Sequence, residues 1–243
     1  MTITPLQEQC DLGQQELMRM NYVEAERILA AAEEQAWAER DFDTLSRLYM
    51  PLQEARRQRR QRCGEGVVCL DLIAENPTDH IDGRQVVENY PFGQLLVAGW
   101  GSIKPALAVR RLQQEYSLYV ETFLAAVYPT PEGKIIAIVP LQDTPLPRPQ
   151  NQPLATLKPL LPPHCLTLHE EEIPQGVRTG TSETYAEVMA LWERLHTPFL
   201  AAADAEREPI RQLEAYRKTL RVDYACELAH QRLADVAKQL TRK

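Results

Sequence analysis

The sequence predicts a mixed α/β protein in which α-helical segments at both ends flank a central sheet region. Three observations carry this reading. Residues 1–62 and 181–243 repeat apolar side chains every three or four positions, the period of an amphipathic helix. At Cys63-Gly64-Glu65-Gly66 that period stops, and short β-branched apolar runs take over. Eight of the 18 prolines then fall between Pro140 and Pro163, where an extended surface segment is expected. The organisation that follows is a helical segment over 1–62, an α/β domain over 63–180 with its proline-rich stretch at 140–163, and a second helical segment over 181–243.

The first helix is read from Leu6, Cys10, Gly13, Leu17 and Met20, which form one stripe. Asn21-Tyr22 turns the chain, and Ala25, Ile28, Leu29 and Ala32 face back, with Gly13 and the alanines permitting close backbone approach. A third helix begins near Asp41, a good N-cap, and carries Phe42, Leu45, Tyr49 and Leu52 on one face. Val67 to Ala74 and Gln94 to Trp100 read as buried strands, separated by a turn at Asn76-Pro77-Thr78-Asp79 and a short helix at Gly83 to Asn89. Ile103 to Ser117 is helical. Tyr119 to Tyr128 and Lys134 to Leu141 are strands joined by a loop at Pro129 to Gly133. A short helix at Leu154 to Leu161, a strand at His164 to Glu172 and a loop at Gly176 to Gly180 follow. The chain then returns to helix in three segments, Glu183 to Ala203, Ala205 to Val222 and Ala225 to Leu240. Neither end alone has enough helices to cover its stripes, so the two ends are expected to pack together. Trp192, in the strong stripe Val188, Leu191, Trp192, Leu195 and Phe199, is expected in that shared core.

The net charge of −7 argues against bulk binding to nucleic acid or an anionic membrane. No apolar run approaches the roughly 20 residues of a membrane span, and the start of the chain has neither the basic residues nor the apolar stretch of a signal peptide. Five scattered cysteines, an odd number, do not make a disulfide framework; reduced thiols in the cytoplasm are expected.

Two clusters stand out as candidate sites. Gly99-Trp100-Gly101-Ser102-Ile103-Lys104 lies where a strand passes into a helix, and Gly99, Gly101, Ser102 and Lys104 are residue types that suit a phosphate at a helix start. The third glycine of a dinucleotide fingerprint and the Gly-Lys-Ser/Thr of a P-loop are both absent, and a tight turn capped by Ser102 explains the same residues. Arg56, Arg57, Arg59, Arg60 and Arg62 form a dense basic cluster that suits an acidic partner, or else complements the end of its own helix. Weaker candidates are His169 with Glu170 to Glu172, the run Asp79 to Asp82, and Arg178 to Ser182, each accounted for by a strand edge or a helix cap. No nucleophile with its base, no metal-ligand set and no cofactor motif is recognisable.

The terminal segments resemble the tetratricopeptide repeat family. Leu12-Gly13, Tyr22, Ala25, Leu29 and Ala32 stand where that consensus has a Leu-Gly pair, an aromatic, a small residue, a bulky apolar residue and a small residue. Near the other end, Tyr216, Leu220 and Asp223 match the close of a repeat, although Tyr224 replaces the usual proline. The resemblance implies helical hairpins that present a protein-binding face. The expected function is therefore a non-catalytic protein–protein interaction or scaffold role, with another protein or a second copy of the chain as partner. The alternative is a small-molecule enzyme or sensor holding a phosphate-bearing ligand at Gly99 to Lys104.

Overall fold

A computed structural model describes residues 4–242, so the outermost ends of the predicted helical segments, 1–3 and 243, lie outside the described residues. The chain divides into two compact units. One is Met1–Gln61 with His196–Lys243, the other Arg62–Leu195. Both divisions fall inside helices, α3 (Phe42–Glu65) and α7 (Ser182–Ala205), rather than in linkers.

The helical unit contains α1 (Pro5–Met18), α2 (Tyr22–Glu39), α8 (Pro209–Val222), α9 (Glu227–Thr241) and its portions of α3 and α7. Each start has a chemical reason. Thr4 accepts the amide of Gln7 ahead of α1, the Asp41 carboxylate accepts the amide of Thr44 at 3.0 Å ahead of α3, and Glu208 caps α8, which has proline in its first turn. Residues from both ends of the chain share one core: Leu29, Leu45, Tyr49 and Leu52 cluster with Leu213, Tyr216, Leu233 and Ala237.

The α1–α2 pair shows why the glycine matters. A Cβ placed on Gly13 would lie 2.6 Å from Cδ2 and Cγ of Leu29, closer than real side chains approach. Leu29 is itself completely buried. Gly13→Val is therefore expected to overpack this seam and cost about 1–3 kcal/mol. Urea denaturation measures it, and a variant as stable as the wild type would show that α1 can shift at no cost.

The second unit is built on a six-stranded sheet, β1 (Val67–Ile73), β2 (Phe92–Trp100), β3 (Tyr119–Thr130), β4 (Gly133–Ile138), β5 (Leu166–His169) and β6 (Arg178–Thr179). Their order is β5-β4-β3-β2-β1-β6. β1, β2 and β3 run parallel, and β4, β5 and β6 pair antiparallel. The parallel connections pass through α4 (Gly83–Asn89) and α5 (Lys104–Glu115). Because β1, β2 and β3 advance in one direction, right-handed crossovers place both helices on the same face. The two helices pack so closely that a Cβ on Gly83 would sit 2.9 Å from that of Ala108. That face is filled by Val86, Val109, Leu112, Leu95, Val97 and Leu124, with Leu157 from the short α6 (Leu154–Leu157). The alternate residues of β3 point the other way, and there the Phe123 ring stacks on Trp192 with centroids 4.2 Å apart.

Four details differ from the sequence reading. Trp192 belongs with the sheet and not with the helical core, because its ring meets Phe123. The β3–β4 connection is shorter than the proline-marked loop: Pro129 and Thr130 stay in the ladder, opposite Lys134 and Gly133. The loop at Gly176 to Gly180 contains β6, a two-residue edge strand. The strand after His164 ends at His169, where Glu172 reaches back to the His169 amide and closes a short turn.

Candidate functional site

The second half of α3 carries the arginine cluster, and helical periodicity sorts it. Arg56, Arg59 and Arg60 are three and four residues apart and share one side of the helix. They turn inward. Arg56 and Arg59 both reach the Glu26 carboxylate on α2, with all three side chains between 12% and 14% exposed. Arg60 Nη2 lies 2.6 Å from Asp223 Oδ1, with side chains 6% and 1% exposed. The guanidinium carbons of Arg59 and Arg60 stand 4.7 and 4.9 Å from the centroid of the Tyr224 ring. Arg57 and Arg62 lie on the other side and pair with Glu54 and Glu65 one turn away. The cluster read from sequence as a partner surface thus holds three arginines committed to internal carboxylates and two in local helix pairs.

Burying three cations is costly without partners, so the carboxylates must stay ionised. For Glu26, burial alone would raise the pKa, but Arg59 and Arg56 outweigh it and hold it below its ordinary value. Since the folded pKa is depressed, the stability this gives is present above about pH 4.5 and is lost as pH falls through the folded value. Glu26→Gln is expected to destabilise the protein at pH 7 and to remove part of the acid dependence of wild-type stability. Parallel urea curves for the two proteins at pH 7 and 4 test it, and an unchanged pH slope would show that Glu26 contributes nothing.

His230 completes the network. Its Nδ1 lies 2.9 Å from the carbonyl of Cys226, and Nε2 is 3.1 Å from Arg56 Nη1. Burial and then Arg56 push its pKa down to about 3, so the ring is neutral, donating from Nδ1 and accepting at Nε2. Next to it, His196 of α7 meets the connection between α8 and α9. His196 Nδ1 is 2.6 Å from Asp223 Oδ2, and potential ligating atoms of His196, Asp223 and Cys226 lie within 4.8 Å of one another. Burial would lower the His196 pKa, but the neighbouring Asp223 and Cys226 prevail and raise it to about 10. Among the described residues, His196, Asp223 and Cys226 are the one set of three whose potential metal-ligating atoms all lie within 4.8 Å of one another. Sequence reasoning missed this set. The available signal was the Asp223-x-x-Cys226 turn, but its third member lies 27 residues upstream in another helix.

The Gly99–Lys104 corner is closed. Gly101 has φ +57°, which a glycine adopts without strain, and a Cβ there would meet Pro149 at 2.5 Å. The amide of Gly101 donates to Val127 O, that of Ser102 to Gly99 O, and that of Lys104 to Ser102 Oγ. Three amides that an anion would need are engaged internally, and Lys104 is exposed. The sheet order offers no reversal point between β1, β2 and β3, where such crevices open. The weaker candidates also resolve into local structure. Asp82 accepts the Arg84 amide to start α4, Thr181 and Thr184 cap α7 reciprocally, and Arg178 pairs with Glu187.

A groove of about 470 Å³ opens on the helical unit, lined by Glu33, Glu34 and Trp37 of α2, Arg56 of α3, and Glu214, Arg217, Lys218, Leu220 and Arg221 along α8. Arg217 bridges Glu33 and Glu34 and lies 4.4 Å over the Trp37 ring. No helix of the described residues is long and apolar enough to cross a membrane. No family model, curated protein or solved structure matches the chain.

Proposed function

We propose that this chain is a non-catalytic interaction protein whose helical unit, built from tetratricopeptide-like hairpins, holds a segment of another protein in the groove between α2 and α8. The observation that carries the reading is the groove's lining. An indole under a guanidinium, edged by exposed Lys218, Arg221, Glu34 and Glu214, offers an apolar platform with charges of both signs. That pattern suits a peptide with mixed charge better than a nucleic-acid backbone, which needs a uniform basic surface. The close α1–α2 seam at Gly13 supports the hairpin comparison. The reduced state of all five cysteines suits a cytoplasmic setting. A second copy of the chain remains a candidate occupant, with size-exclusion chromatography coupled to light scattering as its check.

The test is affinity capture with a photo-crosslinker placed beside the groove at Glu214 and, as a control, at Lys104. A stoichiometric protein partner crosslinked from the groove position and lost on Lys218→Glu with Arg221→Glu is the expected result. If the reversed variant retains the partner, the groove is not its site. If a phosphate compound or nucleotide raises the melting temperature and Lys104→Ala abolishes that rise, the ligand-binding alternative takes its place.

A further inference from the structure

We propose that His196, Asp223 and Cys226 form a binding site for one zinc-class divalent cation, with three protein ligands and a fourth position for water or another small ligand. The turn between α8 and α9 supplies two of them. Asp223 ends α8, and the amide of Cys226 returns to the Asp223 carbonyl at 3.1 Å, which brings the carboxylate and the thiol at positions i and i+3 to one side. His196 reaches the same point from α7, its side chain 16% exposed while Asp223 is 1% exposed, so the imidazole side offers the approach from solvent. An imidazole, a carboxylate and a thiolate are all established ligands of zinc, and three protein ligands leave a coordination position open.

The carboxylate is oriented for this. Asp223 Oδ1 is held by Arg60 at 2.6 Å and by the Ala225 amide at 3.1 Å, whereas Oδ2 meets the His196 ring. Fixing one oxygen and presenting the other is what a supporting residue does for a ligating carboxylate. Bond lengths near 2.0–2.3 Å place tetrahedral zinc ligands roughly 3.3–3.7 Å apart. The His196–Asp223 contact, a hydrogen bond at 2.6 Å, would open by about 1 Å as the metal replaces its proton.

The same residues suggest a thiol nucleophile with a histidine base, and the geometry argues against it. In such a relay the carboxylate and the thiol sit at opposite ring nitrogens, which sets them roughly 7 Å apart. Here the ligating atoms of Asp223 and Cys226 lie within 4.8 Å of each other.

The experiment titrates chelator-treated protein with zinc alone in competition with a chromophoric chelator, and separately with cobalt. The proposal expects one zinc per chain and a thiolate-to-cobalt charge-transfer band. Cys226→Ser and His196→Asn should each weaken zinc binding roughly a hundred-fold or more. Should either variant fail to fold, the wild-type protein still decides: zinc must protect Cys226 from iodoacetamide. Absence of stoichiometric binding, a cobalt spectrum without the thiolate band, or equal alkylation of Cys226 with and without zinc would overturn the site.

Discussion

Asp223→Ala is expected to cost about 3–5 kcal/mol of unfolding free energy in metal-free buffer, because it leaves the Arg60 guanidinium buried without its carboxylate. The two side chains are 6% and 1% exposed, so water cannot replace the lost partner. Two further interactions fall with it, those to His196 and to the Ala225 amide in the turn that starts α9. The pair's own favourable energy is a separate matter. Burial alone would raise the Asp223 pKa, and Arg60 with His196 hold it well below the carboxylate range, so its contribution is present above about pH 4 and is lost on acidification. Yet desolvation of both ions offsets much of the attraction, and replacing both together is far milder than removing one. Arg60→Met with Asp223→Leu should therefore cost less than Asp223→Ala alone. Urea unfolding of the three variants decides. A loss under about 1 kcal/mol for Asp223→Ala would mean that Arg60 finds another partner or reaches solvent.

How far this network could be read in advance depends on sequence distance. The strands were legible because Val67 to Ile73, broken by Asp71 alone, and Leu95 to Trp100 are apolar runs too short for helices, as strands in the middle of a sheet require. α4 was legible from Asp82 ahead of Gly83, a cap followed by its helix. The arginine face was half legible: spacing puts Arg56, Arg59 and Arg60 on one side, but whether that side meets water or Glu26 depends on a carboxylate 30 residues away. The proline-rich stretch was legible as extended chain, but not as the segment that places Pro149 against Gly101 and closes the strand–helix corner. Local chemistry announces caps, turns and strand runs. It is silent about which distant residue a long polar side chain will meet.

Trp192→Ala is expected to cost about 3–5 kcal/mol, with the damage centred on the sheet. The stripe Val188, Leu191, Trp192, Leu195 and Phe199 reads as one continuous face, which is why sequence reasoning assigns all of it to the helical core. Its first part belongs to the sheet unit, where Val188, Trp192 and Leu195 are 0%, 3% and 1% exposed. Trp192 lies on Phe123, 4.2 Å between centroids and 24° between planes, and Phe123 is opposite Leu96 in the β2–β3 ladder. Truncation to alanine removes both the buried area of the indole and the stacking contact, and leaves a cavity too large for α7 to close. Trp192→Phe keeps a ring over Phe123 and should recover more than half of the loss. Hydrogen exchange locates the effect: amides of β2 and β3 should lose protection first, and those of α1 and α2 should change less. Equal loss of protection in α1 and α2 at the lowest denaturant concentrations would instead mean that the two units unfold as one cooperative block, and that this tryptophan supports both.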